Sequence, residues 1–195
     1  VVFTPATLAC TNVNTPVAVA YSVTDVNGNV ITGTVNLVLV DQIIPVANAV
    51  ATLSRTIGTV SGANQNGQGV AVVTPNLVEN GSTDNCSVQT QQLALAATGP
   101  WLSSLSFNCS QVGARNIFYR VLDQSGNAST PKTVALTVTD ATAPVTNTIN
   151  YVYILYTNNM LSGEISVPPG ALDPTSYDNC GIVSKTVTPR YTFTC

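Results

Sequence analysis

Tyr119–Asn127 reads YRVLDQSGN, and Tyr21–Asn29 reads YSVTDVNGN. In both, Tyr and Val flank a polar residue shortly before an Asp, and Gly-Asn follows after two intervening residues. Alternation puts one side of the chain inward and the other outward in a strand. Val and Thr, stiff at the β-carbon, suit such a pleated surface. The Asp can accept hydrogen bonds from the backbone just downstream, and the Gly can take a positive φ. Each stretch therefore predicts a β-hairpin. The return strands alternate too, as TVNLVLVDQIIP (Thr34–Pro45) and TVALTVTDATAP (Thr133–Pro144). Val17–Val23 and Ile117–Val121 have the same period. The one stretch with helix character, Gln91–Thr98, spans eight residues before Gly99-Pro100 and reads as a strand or a short turn. The expected fold class is all-β.

The two hairpins belong to an internal repeat. Pro45 and Pro144 are 144 − 45 = 99 residues apart, as are Cys10 and Cys109. STDNC (Ser82–Cys86) recurs as SYDNC (Ser176–Cys180), with 180 − 86 = 94. Each is followed by a Phe-x-Cys, at Phe107–Cys109 and Phe193–Cys195. A period between 94 and 99 residues is too long for a solenoid and fits a seven-strand sandwich. The expectation is tandem immunoglobulin-like β-sandwich repeats, a fragment of a longer array. Residues 1–43 would be the C-terminal half of one unit, 44–141 a complete unit and 142–195 the N-terminal half of the next.

Composition narrows the function classes. Hydrophobic residues make up 45% of the 195 and charged residues 8%, against about 25% charged in an average soluble protein. The difference is filled by Thr, Asn, Ser and Gln, and no apolar run nears the ~18 residues of a membrane helix. Nine acids and six bases are spread along the chain, for a net charge of −3. No basic stripe exists for nucleic acid or anionic lipid, so neither is expected as a partner. The five cysteines form no C-x-x-C and there is no His, which removes most zinc patterns. Disulfides in an oxidising compartment are the better reading. The expected bridges are Cys86–Cys109 and Cys180–Cys195, each inside its own sandwich and each worth ~3 kcal/mol by loop closure. Cys10 is then left over, its partner lying in the missing half of the first unit.

Asp25, Asp41, Asp84, Asp123, Asp140 and Asp178 all fall in the repeated motifs. Hydrogen bonding in turns and corners is the leading reading of them. Calcium at the joints is the alternative cofactor, with Asp84, Asp123 and Asp140 as candidates. No D-x-D-x-D-G loop is present. Catalysis is disfavoured: without His the common triads lose their base, and Glu79, Glu164 and Asp173 show no paired spacing. Trp101 reads first as a core residue and second as a sugar-stacking platform.

The series Asp84-Asn-Cys, Phe107-Asn-Cys109, Val112-Gly113, Tyr119–Asn127 and Val138-Thr-Asp140-Ala-Thr-Ala-Pro144 resembles a hyalin repeat (HYR). It is most like the bacterial form in very large cell-surface adhesins of Bacteroidetes. The resemblance spans the whole chain and implies an immunoglobulin-like sandwich, export to the cell surface, and roles in adhesion or gliding motility. The chain departs from it in a Gly/Asn/Gln-rich insertion at Ser61–Gly69, and in Thr11-Asn-Val-Asn where the second unit has Ser110-Gln-Val-Gly113. Two functions compete. One is a structural module of an extracellular adhesin or filament, whose partners are neighbouring repeats and other copies. The other is a glycan- or protein-binding module acting through Ser61–Gly69 or Gly99–Leu102.

Overall fold

The computed structural model describes residues 2–5, 7–58, 67–147, 164–166, 172–173, 175–186 and 192–194. Eleven strands are described: β1 (Val2–Thr4), β2 (Pro16–Thr24), β3 (Val30–Val38), β4 (Thr52–Thr56), β5 (Val70–Val73), β6 (Val88–Ala94), β7 (Leu105–Asn108), β8 (Gly113–Asp123), β9 (Lys132–Thr139), β10 (Glu164–Ser166) and β11 (Thr192–Thr194). Three single-turn 3₁₀ segments, at Cys10–Asn12, Pro75–Leu77 and Cys109–Gln111, complete the elements. The all-β expectation holds, and Gln91–Ala94 belongs to a strand.

The sheets are β1-β2-β3, β4-β9-β8-β6, β5-β7 and β10-β11. The hairpins form where the Asp-x-x-Gly-Asn turns require them. In the first, Asp25 Oδ1 accepts from Asn27 N at 2.8 Å and Asn29 N at 2.9 Å, and Gly28 has φ +88°. In the second, Asp123 Oδ1 accepts from Asn127 N at 2.8 Å, Asp123 Oδ2 accepts from Asn127 Nδ2 at 2.6 Å, and Gly126 has φ +86°. Register then follows from the turn, pairing Thr24 with Val30 and Pro16 with Val38.

The chain divides into two compact units. The first comprises Val1–Leu53, Thr74–Leu105 and Asn116–Ala135, and the second Ser54–Val73, Ser106–Arg115 and Leu136–Cys195. The first is built on Val78, Leu93, Ile117, Tyr119, Val121 and Val134, all removed from solvent. Its one fully buried phenol, Tyr119, bonds Glu79 Oε2. In the second unit the larger apolar side chains buried among the described residues are Ile57, Val73, Phe107, Leu136 and Val138.

A recurrent corner appears once in each unit. Val46 and Thr83 exchange both backbone hydrogen bonds, at 2.8 and 3.0 Å, and Val145 and Tyr177 do the same at 2.9 and 3.1 Å. Beside them, Asn48 N donates to Ser82 Oγ at 3.0 Å and Asn147 N to Ser176 Oγ at 2.7 Å. Glu79 accepts from Ser82 N, and Asp173 accepts from Ser176 N at 2.9 Å. Two acids that look unrelated to the motifs thus share one job, bracing a Ser three residues on.

Candidate functional site

Each corner leads into an Asp-Asn-Cys turn, where the distinctive chemistry of the chain lies. In the first unit Asp84 Oδ2 accepts from Cys86 N at 2.9 Å and Ser87 N at 3.0 Å. This turn presents Cys86 to Cys10, and the two form a disulfide with Cα atoms 5.1 Å apart. It also presents Asn85, whose Nδ2 donates to Asp41 Oδ2 at 3.0 Å. Asn127 Nδ2 donates to the Asp41 carbonyl at 2.9 Å, bringing the β8–β9 turn to the same place. The outcome is a group of three carboxylates, Asp41, Asp84 and Asp123, with oxygens within 4.8 Å of one another. A cleft of about 370 Å³ adjoins Asp41, lined by Val13, Leu39, Val40, Ile43, Asn85 and Cys86.

The second unit repeats much of this. Asp178 Oδ2 accepts from Cys180 N at 2.8 Å, and Cys180 is bonded to Cys109 with Cα atoms 5.2 Å apart. Asn179, 2% exposed, donates through Nδ2 to Asp140 Oδ1 and to the Ile57 carbonyl, both at 3.2 Å. Gly69 N donates to the Asn179 carbonyl at 2.8 Å. The approach is so close that a Cβ on Gly69 would fall 2.3 Å from Ile57 Cγ2, so no larger residue fits without a shift.

These bridges correct the expected pairing. Cys86 bonds Cys10 and Cys109 bonds Cys180, so Cys86–Cys109 is not formed and Cys180 is not free for Cys195. Nor is Cys10 left over. Spacing could not decide between a Phe-x-Cys that follows each Asp-Asn-Cys and one that precedes it. The structure takes the preceding one, where Asn85 and Asn179 dock their turns on Asp41 and Asp140. Cys195 lies outside the described residues.

The three acids of the alternative calcium reading are not grouped together. Asp84 and Asp123 come together, but Asp140 belongs to the other unit, beside Asn179. Asp41 takes the third place in the first unit. The available signal was the spacing 140 − 41 = 99, which makes Asp41 the counterpart of Asp140. Of the two proposed binding loops, residues 61–66 lie outside the described residues. Trp101 is half-buried, with the Arg120 guanidinium carbon 4.3 Å from its ring centre and its Cδ1 2.9 Å from where a Cβ on Gly99 would stand.

Fold and site define the class: an all-β protein stapled by two disulfides of long sequence reach. Such bonds point to an oxidising, non-cytoplasmic location. Among the described residues no helix is long and apolar enough to cross a membrane. No family model matches the chain, and no curated protein or solved structure does either.

Proposed function

We propose that the chain is a load-bearing stretch of an extracellular cell-surface adhesin or filament, built from tandem immunoglobulin-like sandwiches of the hyalin-repeat kind. Units 1–43, 44–141 and 142–195 are then links, and their partners are the neighbouring repeats of the same chain. The observation that carries this reading is the direction of the bridges. Each joins the Phe-x-Cys or matching Cys of one sequence unit to the Asp-Asn-Cys of the next, 76 or 71 residues along.

Bridges in series make a covalent short cut. Tension applied to the two ends passes from Cys10 to Cys86 through sulfur, then along 109 − 86 = 23 residues, then through sulfur again to Cys180. Residues inside each bridged loop are spared, and each loop withholds roughly 240 Å of extended chain. The same closures remove conformational freedom from the unfolded state, worth ~4 kcal/mol each on the chain-entropy estimate. A stalk that limits its own extension is well suited to hold a cell surface to a partner. An enzyme would gain little from it.

Single-molecule pulling on the intact chain, oxidised and then reduced, tests the reading. The oxidised chain should lengthen only by the segments outside the two loops, and reduction should release both loops. Equal extension in the two states would remove the load-bearing role.

A further inference from the structure

We propose that β3 (Val30–Val38) is a docking edge for a second copy of this chain, the two β3 strands pairing antiparallel about Thr34. Among the described residues β3 pairs with β2 alone, so one row of its backbone N–H and C=O groups faces outward. In the four-stranded sheet the corresponding edge of β9 is taken by β4. The other edge strands described are blunted. β1, β5, β7, β10 and β11 are three or four residues long, and β6 is broken by a register shift between Val88 and Thr90. β4 has five residues, Arg55 among them. β3 has nine, with no charge and no proline. An edge of that kind is a template for another strand unless something covers it.

The order of residues along β3 points to a strand like itself. VITGTVNLV reads nearly the same in both directions. Set antiparallel about Thr34, Val30 faces Val38, Ile31 faces Leu37, Thr32 faces Asn36 and Gly33 faces Val35. Apolar residues then meet apolar ones and polar residues polar ones, in the cross-strand pairs that stabilise a sheet. A slip by one residue would set Ile31 against Asn36 and Thr32 against Val35, so the register is defined. The bare backbone of Gly33 leaves no gap. Tyr21, its partner on β2, lies over it, with Cζ 2.6 Å from where a Cβ would stand. Val35 of the second copy therefore meets that ring.

Charge and exposure agree with a second copy. An uncharged strand opposes no like charges when it pairs with itself. On its inner face Ile31 pairs with Val23, Val35 with Val19 and Leu37 with Val17. Ile31 is 69% exposed, and Val35 and Leu37 are each nearly half in water. A two-fold pair joins the two three-stranded sheets into one of six strands, in which these apolar residues line a single continuous face. Because each copy offers the same edge, the contact closes at two. Nine residues span about 31 Å, and a contact that long and one sheet thick, about 10 Å, buries roughly 300 Å² per copy. A standard interface takes about 800 Å² per partner, so this association is weak and concentration-dependent. It goes beyond the load-bearing role, which rests on the disulfides and survives its failure.

Sedimentation equilibrium of the intact, oxidised chain from about 10 μM to about 1 mM tests it. The weight-average mass should rise toward about twice that of one chain and stop there. Ile31→Lys and Leu37→Glu each replace a side chain that already meets water, and each alone should hold the chain monomeric. Mixed in equal amounts, the two variants should pair again, because position 31 of one copy faces position 37 of the other and the new charges attract. A monomer at every concentration, growth beyond two copies, a dimer indifferent to both substitutions, or no recovery on mixing would each overturn the assignment. Growth beyond two would mean that a different strand of the second copy seats on the edge. Should either variant lose its β-sheet circular dichroism, the wild-type chain decides. Its β3 amides must exchange more slowly as concentration rises, and exchange independent of concentration rejects the pairing.

Discussion

The hairpins β2–β3 and β8–β9 share a turn but not an environment. Asp25 and Asp123 make the same bonds to the Asn four residues on, and both glycines stand at nearly the same φ. Yet Val134 and Leu136 of β9 are sealed from solvent, whereas their counterparts Val35 and Leu37 of β3 are 42% and 43% exposed. Strands β8 and β9 lie inside a four-stranded sheet, flanked by β6 and β4. On the side of β2 away from β3, only the three-residue β1 pairs among the described residues. A hairpin is thus a local product of its turn and alternation, while its burial depends on strands supplied from far along the chain.

The largest test of that contrast compares equivalent leucines. Leu136→Ala should cost about 3 kcal/mol by loss of buried methylenes and the cavity left behind. Leu37→Ala, already half in water, should cost less than about 1 kcal/mol. Urea unfolding of the two variants measures the gap, and equal losses would erase the contrast.

A smaller effect should be shared by both hairpins. Gly28 and Gly126 have open space where a Cβ would go, so Ala at either meets backbone strain alone. Each substitution should cost about 1–2 kcal/mol. Amide exchange at Asn29 and Asn127 reads the two turns separately. A much greater cost at one would mean that tertiary packing, rather than the turn itself, holds it.

The smallest effect concerns acid. The Asn29 side chain, and then its backbone N–H, hold the Asp25 carboxyl below its ordinary value of 3.8. A carboxylate with a depressed folded pKa contributes stability that is present above the unfolded value and lost as pH falls through the folded one. The β2–β3 turn should therefore persist at 3.8 and loosen only at lower pH. Asn29→Ala should bring the Asp25 titration, followed by NMR, back toward 3.8. An unchanged midpoint would show that Asn29 does not set it.

Particular residues mark how far the sequence could be read. Tyr119 to Asn127 announced its strand and turn within nine residues. The recurrence of Asp-Asn-Cys and Phe-x-Cys likewise stood in plain view. Glu79 and Asp173 did not stand out, because one is Glu and the other Asp and the motif linking them is only an acid three residues before a Ser. Asp41 was recognised as a corner acid but not as the neighbour of Asp84, from which it is 43 positions removed.

By itself the order of residues determined strands, turns and periodicity, since each of these is an energy balance among close neighbours on the backbone. Only the tertiary structure decided which cysteine bonds which, and which carboxylates meet. Repetition is the reason: it offers Cys86, Cys109 and Cys180 each two partners of the same type, one upstream and one downstream. Local forces cannot rank them, and the choice falls to the path of the folded chain.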